Sequence, residues 1–119
     1  MTQRTTRVAK NIKEELGWML EKGEVKDPRI GFVTVTAVEV SSDLSHCRVY
    51  FSLLGSKHER SEATKGLESA SGFIRTELGR RLRLKHAPEV EFKYDETVEA
   101  SARISKVLHD IHEREAKEE

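Results

Sequence analysis

Five basic residues lie within one short stretch of the chain, and their density makes this stretch the first candidate for chemistry. Residues 75–86 contain a single acid, Glu77, together with these cations: Arg75, Arg80, Arg81, Arg83 and Lys85. Guanidinium and ammonium groups bind phosphate oxygens with an affinity that falls with added salt and depends little on base sequence. The stretch therefore predicts a surface for a nucleic-acid backbone, although structural charges on a solvated helix would produce the same pattern.

A second basic cluster, Arg4, Arg7 and Lys10, lies near the N-terminus. It belongs to a segment whose apolar residues recur three or four positions apart, which predicts an amphipathic helix. These apolar residues are Val8, Ile12, Leu16, Met19 and Leu20. We expect a loop to follow through Asp27-Pro28, because proline disfavours helical geometry in the residue before it. Whether the two basic clusters share a surface depends on how the elements pack.

Three strands are predicted between and after the helical segments. Residues 31–40 are rich in Val and Thr, and their apolar alternation changes phase midway, which indicates a bulge near Ala37. A polar turn at residues 41–45 leads to a second strand over residues 46–54, so the two strands should form a hairpin. Alternation of Val90, Phe92 and Tyr94 predicts the third strand.

Two helices are predicted to meet at a bend before the third strand. An apolar ladder at helical spacing runs through Ser71 and Gly72, and it consists of Ala63, Leu67, Ala70, Ile74, Leu78 and Leu82. Glycine destabilises a helix interior by about 1 kcal/mol relative to alanine, so its presence in the ladder indicates a bend. At about 100° per residue, Arg80 and Arg83 point away from the ladder. Arg81 and Lys85 fall within it unless the helix ends before them.

The pattern of elements predicts an α+β fold in one domain. A final helix is expected from about Val98, with Ile104, Val107, Leu108 and Ile111 on one face. Residues 1–112 would form the domain, and the charged residues 113–119 would fray as a tail. A three-stranded sheet with the helices packed on one face would bury all the apolar stripes.

Composition limits the function classes. The 21 basic and 21 acidic residues give no net charge, yet residues 91–119 carry nine acids against five bases, so the molecule has a charge dipole. Cys47 is the only cysteine, which excludes an internal disulfide and favours a reducing, cytoplasmic location. No stretch has the apolar length of a membrane span, and the N-terminus lacks a signal-peptide core.

Two other function classes compete with nucleic-acid binding. His109 and His112 could present a metal face on one helix side with His86 as a third ligand, but no nucleophile arrangement, phosphate loop or zinc motif is evident. We therefore expect neither an enzyme nor a cofactor. An acidic set in the last helix, Asp110, Glu113 and Glu115, could instead dock a basic protein. The aromatic residues Phe32, Phe51, Phe73 and Phe92 are expected in the core, with Trp18 covering its edge.

The element order is that of the type II KH fold, in which a Gly-x-x-Gly loop between two adjacent helices clamps the RNA backbone. Here Ala70-Ser71-Gly72 stands in place of that loop. Nearly the whole chain resembles the bacterial ribosome-binding factor A family, a KH-like family with an Ala-x-Gly kink. The other motifs that carry the resemblance are the opening Arg-Val-Ala-Lys, Asp27-Pro28-Arg29-Ile30, residues 38–45 and residues 83–92 leading to Asp95. The family's usual basic C-terminal extension is not apparent.

The resemblance implies a non-enzymatic assembly factor. It would bind the free 30S small ribosomal subunit and 16S rRNA, assist late 30S maturation and 16S rRNA 5′-end processing, and have a role in cold adaptation. Ribosomal proteins and assembly GTPases would be further partners of a monomer. The alternative is a KH-like RNA-binding or protein-docking module unrelated to ribosome assembly. The expected RNA contacts are Arg75, Arg80, Arg81, Arg83, Lys85, Arg4, Arg7, Lys10, Ser71 and Gly72.

Overall fold

The computed structural model describes residues 3–97 and confirms the predicted order of elements within them. The elements are α1 (Gln3–Glu21), β1 (Thr34–Val40), β2 (His46–Ser52), α2 (Lys57–Ser69), α3 (Ser71–Arg81) and β3 (Glu89–Tyr94). The predicted helix from Val98, the tail at residues 113–119 and the pair His109 and His112 lie outside the described residues.

The three strands form one mixed sheet in the order β1-β2-β3. Strands β1 and β2 are an antiparallel hairpin, and β3 runs parallel to β2. The register shifts between Val35 and Ala37, which confirms the predicted bulge. Because Thr36 is the extra residue, Val35 lies opposite Phe51 and Val38 opposite Val49. The bulge thus places Val35, before it, and Val38, after it, on the same face of the sheet.

The helices cover that face of the sheet and bury one core with it. Alternate residues of β2 are buried there, namely Cys47, Val49 and Phe51, while His46 and Arg48 are exposed on the other face. The helical stripes predicted from sequence complete the core with Ile12, Leu16, Met19, Ala63, Leu67, Ile74 and Leu78. Burial raises the pKa of the Cys47 thiol to about 12, so this cysteine is an inert core residue.

Two of the aromatic predictions are wrong. Phe51 and Phe92 are buried, but Phe32 is fully exposed and Phe73 is 47% exposed. Phe32 lies in the loop before β1, which begins at Thr34. Phe73 precedes the buried Ile74 by one residue and therefore lies about 100° around α3 from the core. Trp18 is half exposed, with the Lys22 ammonium 4.6 Å from the centre of its ring.

The bend between α2 and α3 is centred on Ala70, one residue before the predicted Ser-Gly pair. Ala70 is both the C-cap residue of α2 and the N-cap residue of α3, so no loop separates the helices. Its N–H donates to the Gly66 carbonyl, and its carbonyl accepts from the Ile74 N–H. Ser71 and Gly72 belong to the first turn of α3, where the Ser71 hydroxyl donates to the Glu68 carbonyl. A Cβ atom at Gly72 would meet open space.

The loop after α1 is fixed to α2 by a close backbone approach at Gly66. A Cβ atom there would lie 2.9 Å from Ile30 Cγ1 and 3.2 Å from Asp27 Oδ1. The Arg29 guanidinium holds the loop from the other side, because Nη2 lies 2.7 Å from Asp27 Oδ2 and 3.0 Å from Ser69 Oγ. The Asp-Pro-Arg-Ile motif is therefore a structural lock between this loop and the end of α2.

Replacing the two helical glycines by alanine should give opposite results. Gly66→Ala should destabilise the fold, because an overpacking cost of about 1–3 kcal/mol exceeds the helix-propensity gain of about 1 kcal/mol. Gly72→Ala should stabilise the fold by about 0.5–1 kcal/mol, because only the propensity gain applies. Urea unfolding of both variants measures the difference, and a Gly66→Ala variant as stable as Gly72→Ala would contradict the proposed lock.

The lock should also weaken in acid. Hydrogen bonds from Arg29 lower the pKa of Asp27 to about 2, whereas an unfolded aspartate titrates at about 3.9. A carboxylate with a lowered folded-state pKa stabilises the protein fully above the unfolded pKa, and this contribution disappears as the pH falls through the folded pKa. Asp27→Asn should therefore melt below the wild type at neutral pH, and the gap should close between about pH 4 and pH 2. A gap that persists at pH 2 would disprove the assignment.

Candidate nucleic-acid interface

Helix α3 ends where the apolar ladder ends, with Leu82 as its C-cap, and the turn that follows determines the direction of the basic stretch. The Leu84 N–H donates to the Gly79 carbonyl at 3.0 Å, and the Arg83 N–H donates to the Arg80 carbonyl at 3.4 Å. These two bonds are the pair that defines a Schellman motif, with Arg83 in the left-handed conformation at φ 53°. The helix therefore ends before Arg83 and Lys85, which is the alternative that the sequence left open for Lys85, because the chain turns away after Arg81.

Arg83 occupies a backbone position that favours glycine. A side chain in the left-handed region costs about 1 kcal/mol or more, because Cβ approaches the following carbonyl oxygen. The Arg83 side chain is exposed, so core packing does not explain why an arginine stands there. The conformation itself follows from the helix end, because the C′ residue of a Schellman motif is left-handed.

A groove brings the two basic clusters together at one end of the sheet. It has a volume of about 440 Å³ and lies between the start of α1, the β1–β2 turn and the loop between α3 and β3. Arg4 lines it from α1, and Lys85 and His86 line it from the loop. The sequence left open whether the clusters share a surface, and the groove shows that Arg4 and Lys85 do.

An aspartate of the β1–β2 turn also lines this groove. Asp43 Oδ1 accepts hydrogen bonds from the Ser45 hydroxyl at 2.7 Å, the Ser41 hydroxyl at 2.8 Å and the Ser45 N–H at 3.1 Å. These bonds, the Ser45 hydroxyl foremost, lower the pKa of Asp43 to about 2. The carboxylate is therefore ionised at neutral pH, and its hydrogen bonds to Ser41 and Ser45 hold the turn. The cations of the groove come from α1 and from the loop between α3 and β3.

Two further arginines border the loop from α3. The Arg75 Nε donates to the Ala87 carbonyl at 3.0 Å, and a Cβ atom at Gly79 would lie 3.0 Å from Ala87 Cβ. Arg75 thus fixes the loop while using one of its five N–H donors. Arg80 points outward as predicted, with a side chain 68% exposed, and its Nη2 lies 2.7 Å from Glu77 Oε2.

Arg81 does not belong to this surface. Its side chain is only 20% exposed, its Nη1 donates to Glu15 at 3.1 Å, its Nη2 donates to Glu24, and its Nε donates to Glu77 at 3.2 Å. The bonds to Glu24 and then Glu15 are the main causes of its raised pKa. The prediction of Arg81 as a phosphate contact is corrected, because its guanidinium is engaged by three carboxylates and joins α3 to α1 and the loop after it.

Lys10 is also separated from the groove. It lines a different groove of about 920 Å³ between α1 and the start of β1, together with Lys13, Trp18 and Phe32. The predicted cluster on α1 therefore divides between two sides of the helix. Arg7 is exposed one turn after Arg4, which leaves it near the groove.

His86 is a groove residue that the sequence singled out only as a metal ligand. Its place in the groove depends on the direction of the loop after α3. The sequence did not show this direction, because the Schellman motif that sets it lacks its usual glycine. Within residues 3–97, no group of three His, Cys, Asp or Glu side chains is placed to hold a metal ion. No helix in the same range is long and apolar enough to cross a membrane.

A three-stranded mixed sheet, two helices joined at a single residue and a basic groove at one end define a KH-like α+β domain. The chain matches the family model of ribosome-binding factor A over residues 4–108, and it belongs to that family. The family's description names a binding factor rather than an enzyme.

Relatives of the same description span nearly the whole chain. Ribosome-binding factor A of Desulfitobacterium hafniense (strain DSM 10664 / DCB-2) is 45% identical over 116 residues, which cover 98% of this chain and 92% of the relative. The protein of the same name from Desulforamulus reducens is 44% identical over 117 residues, which cover 98% and 97%.

Solved structures agree with the fold. The crystal structure of ribosome-binding factor A from Thermus thermophilus superposes with a TM-score of 0.65 at 28% identity, covering 76% of this chain and 94% of that one. A homology model of the Thermus thermophilus factor, fitted into a cryo-EM map of a 30S complex, gives 0.59 at 29% identity, covering 70% and 86%. The solution structure of a Thermotoga maritima protein described as a putative ribosome-binding factor A gives 0.58 at 37% identity, covering 75% and 80%.

Two substitutions at Arg83 separate its backbone from its charge. Arg83→Gly should stabilise the fold by about 1 kcal/mol, because glycine adopts the left-handed conformation without the Cβ penalty. Arg83→Ala removes the same charge but keeps the penalty, so its stability should stay near that of the wild type. Thermal and urea unfolding measure both, and equal stabilities for the glycine and alanine variants would show that the arginine causes no backbone strain.

Proposed function

We propose that this chain binds the free small ribosomal subunit and contacts the phosphate backbone of its 16S rRNA. Membership of the ribosome-binding factor A family supports the partner, as does the relative from Thermus thermophilus that was fitted into a map of a 30S complex. The observation that carries the proposed site is the groove that unites Arg4 and Lys85.

The proposed contacts follow from the charges around this groove. Arg4 and Lys85 would bind phosphates from its two sides, and Arg83 would extend the contact along the loop, with Arg7 continuing it on α1. Arg75 and Arg80 would add contacts from the exposed side of α3. Such contacts position a protein on RNA without reading its sequence.

Ser71 and Gly72 belong to a separate part of the proposed interface. Gly72 has no neighbouring atom within 4 Å of where its Cβ would lie, so an RNA backbone could approach the chain closely here. In the KH class this region of the fold is the one that clamps nucleic acid.

The biological role that we infer is assistance in late 30S maturation and 16S rRNA 5′-end processing, with a role in cold adaptation. The factor would act in the cytoplasm as a monomer, alongside ribosomal proteins and assembly GTPases. Phosphate contacts suit this role, because they hold a factor on RNA that is still rearranging without requiring a finished base-pairing pattern.

Neutralising the groove tests the proposed site directly. The variant Arg4→Gln/Lys85→Gln should bind purified free small subunits more weakly than the wild type. The slope of log affinity against log salt should fall by about one for each phosphate contact removed. A matched control, Lys57→Gln/Lys93→Gln, removes the same charge from exposed positions away from the groove and should retain the wild-type affinity and slope. Binding that is insensitive to salt and equal in both variants would contradict an RNA interface here and favour a protein partner.

A further inference from the structure

An exposed apolar surface lies at the end of the sheet opposite the basic groove. Phe32 and Leu54 are both fully exposed, and both line a groove of about 490 Å³ that also includes Leu53. Phe32 continues this surface into the larger groove beside α1, where it meets Trp18 and Val33. Large apolar side chains exposed next to one another mark an interaction surface.

The described part of the chain ends beside this surface. In the parallel pair of β2 and β3, Tyr94 lies opposite Phe51, and the Asp95 N–H donates to the Phe51 carbonyl at 2.7 Å. The Thr36 hydroxyl fixes Asp95 further, because its oxygen lies 2.6 Å from Asp95 Oδ2. Leu53 and Leu54 follow two and three residues after Phe51, so the described chain leaves the sheet at the end that carries the apolar surface.

The sequence of residues 98–119 carries a matching apolar stripe. Ile104, Val107, Leu108 and Ile111 recur at the spacing of one helix face. In the helix predicted from about Val98, the six residues from Val98 to Arg103 rise about 9 Å and the eight from Ile104 to Ile111 about 12 Å. The stripe can therefore reach the surface formed by Phe32 and Leu54 without any change in the sheet.

We propose that the stripe of Ile104, Val107, Leu108 and Ile111 docks on the Phe32–Leu54 surface of the same chain. A short tether raises the effective concentration of the stripe to about the millimolar range, which favours this occupant over a second copy or another protein. The docked segment lies at the opposite end of the sheet from Arg4 and Lys85, so this inference is independent of the proposed function.

One full-length variant and a matched control test the docking. Leu108→Asp places a charge in the stripe, whereas Ala102→Asp makes the same charge change about 160° around the predicted helix from Ile104. Amide hydrogen exchange of residues 31–35 and 52–55 reports the covered surface, and acrylamide quenching of Trp18, the only tryptophan, reports its edge.

We expect Leu108→Asp to increase exchange at both segments by about tenfold or more, because burial of one leucine shifts a local opening equilibrium at least that far. Quenching of Trp18 should rise as well, and Ala102→Asp should match the wild type in both measurements. The proposal is wrong if both variants behave as the wild type does. It is also wrong if the protection depends on protein concentration and the sedimenting mass is that of a dimer, since a second copy would then cover the surface.

Discussion

The direct junction of α2 and α3 at Ala70 is the constraint on which the rest of the structure depends. Because one residue ends one helix and begins the next, the direction of α3 is set by α2 rather than by a flexible loop. Helix α2 is itself held against the preceding loop, where Gly66 lies too close to Ile30 for any side chain. The far end of α3 thereby lies against α1 and the loop after it, where Arg81 binds Glu15 of α1 and Glu24 of the loop.

The end of α3 gives neighbouring cations different surroundings. Arg81 is the last residue of α3 and binds inward to carboxylates of α1, the following loop and its own helix. The Schellman motif then turns the chain away from the helix, and Arg83 and Lys85 are exposed. An ion-pair network that fixes the helix end thus precedes a loop whose cations are presented to solvent. Without the left-handed turn at Arg83, the chain would not separate the paired Arg81 from the exposed Arg83 and Lys85 in this way.

The periodicity of apolar residues was enough to predict the helices and strands. It could not predict contacts between residues that are far apart in the chain. The apolar ladder from Ala63 to Leu78 and the phase change near Ala37 are local patterns, and both are confirmed. Two of the three carboxylates that bind Arg81 lie 57 and 66 residues away in the chain, so these two contacts cannot be predicted from local sequence patterns. The end of α3 stayed open in the sequence because arginine stands where glycine usually marks such an end. Phe32 was misplaced because it lies in the loop before β1.

The groove that joins Arg4 and Lys85 is the central claim of this account, and site-specific photocrosslinking tests it most directly. A photoreactive residue would be placed at position 4 and, in a separate protein, at position 85, and each would be irradiated with free small subunits. The account predicts that both positions crosslink to 16S rRNA, at nucleotides close together in the subunit, because one groove binds one stretch of backbone. Crosslinks confined to ribosomal proteins, or to distant rRNA segments, would contradict it.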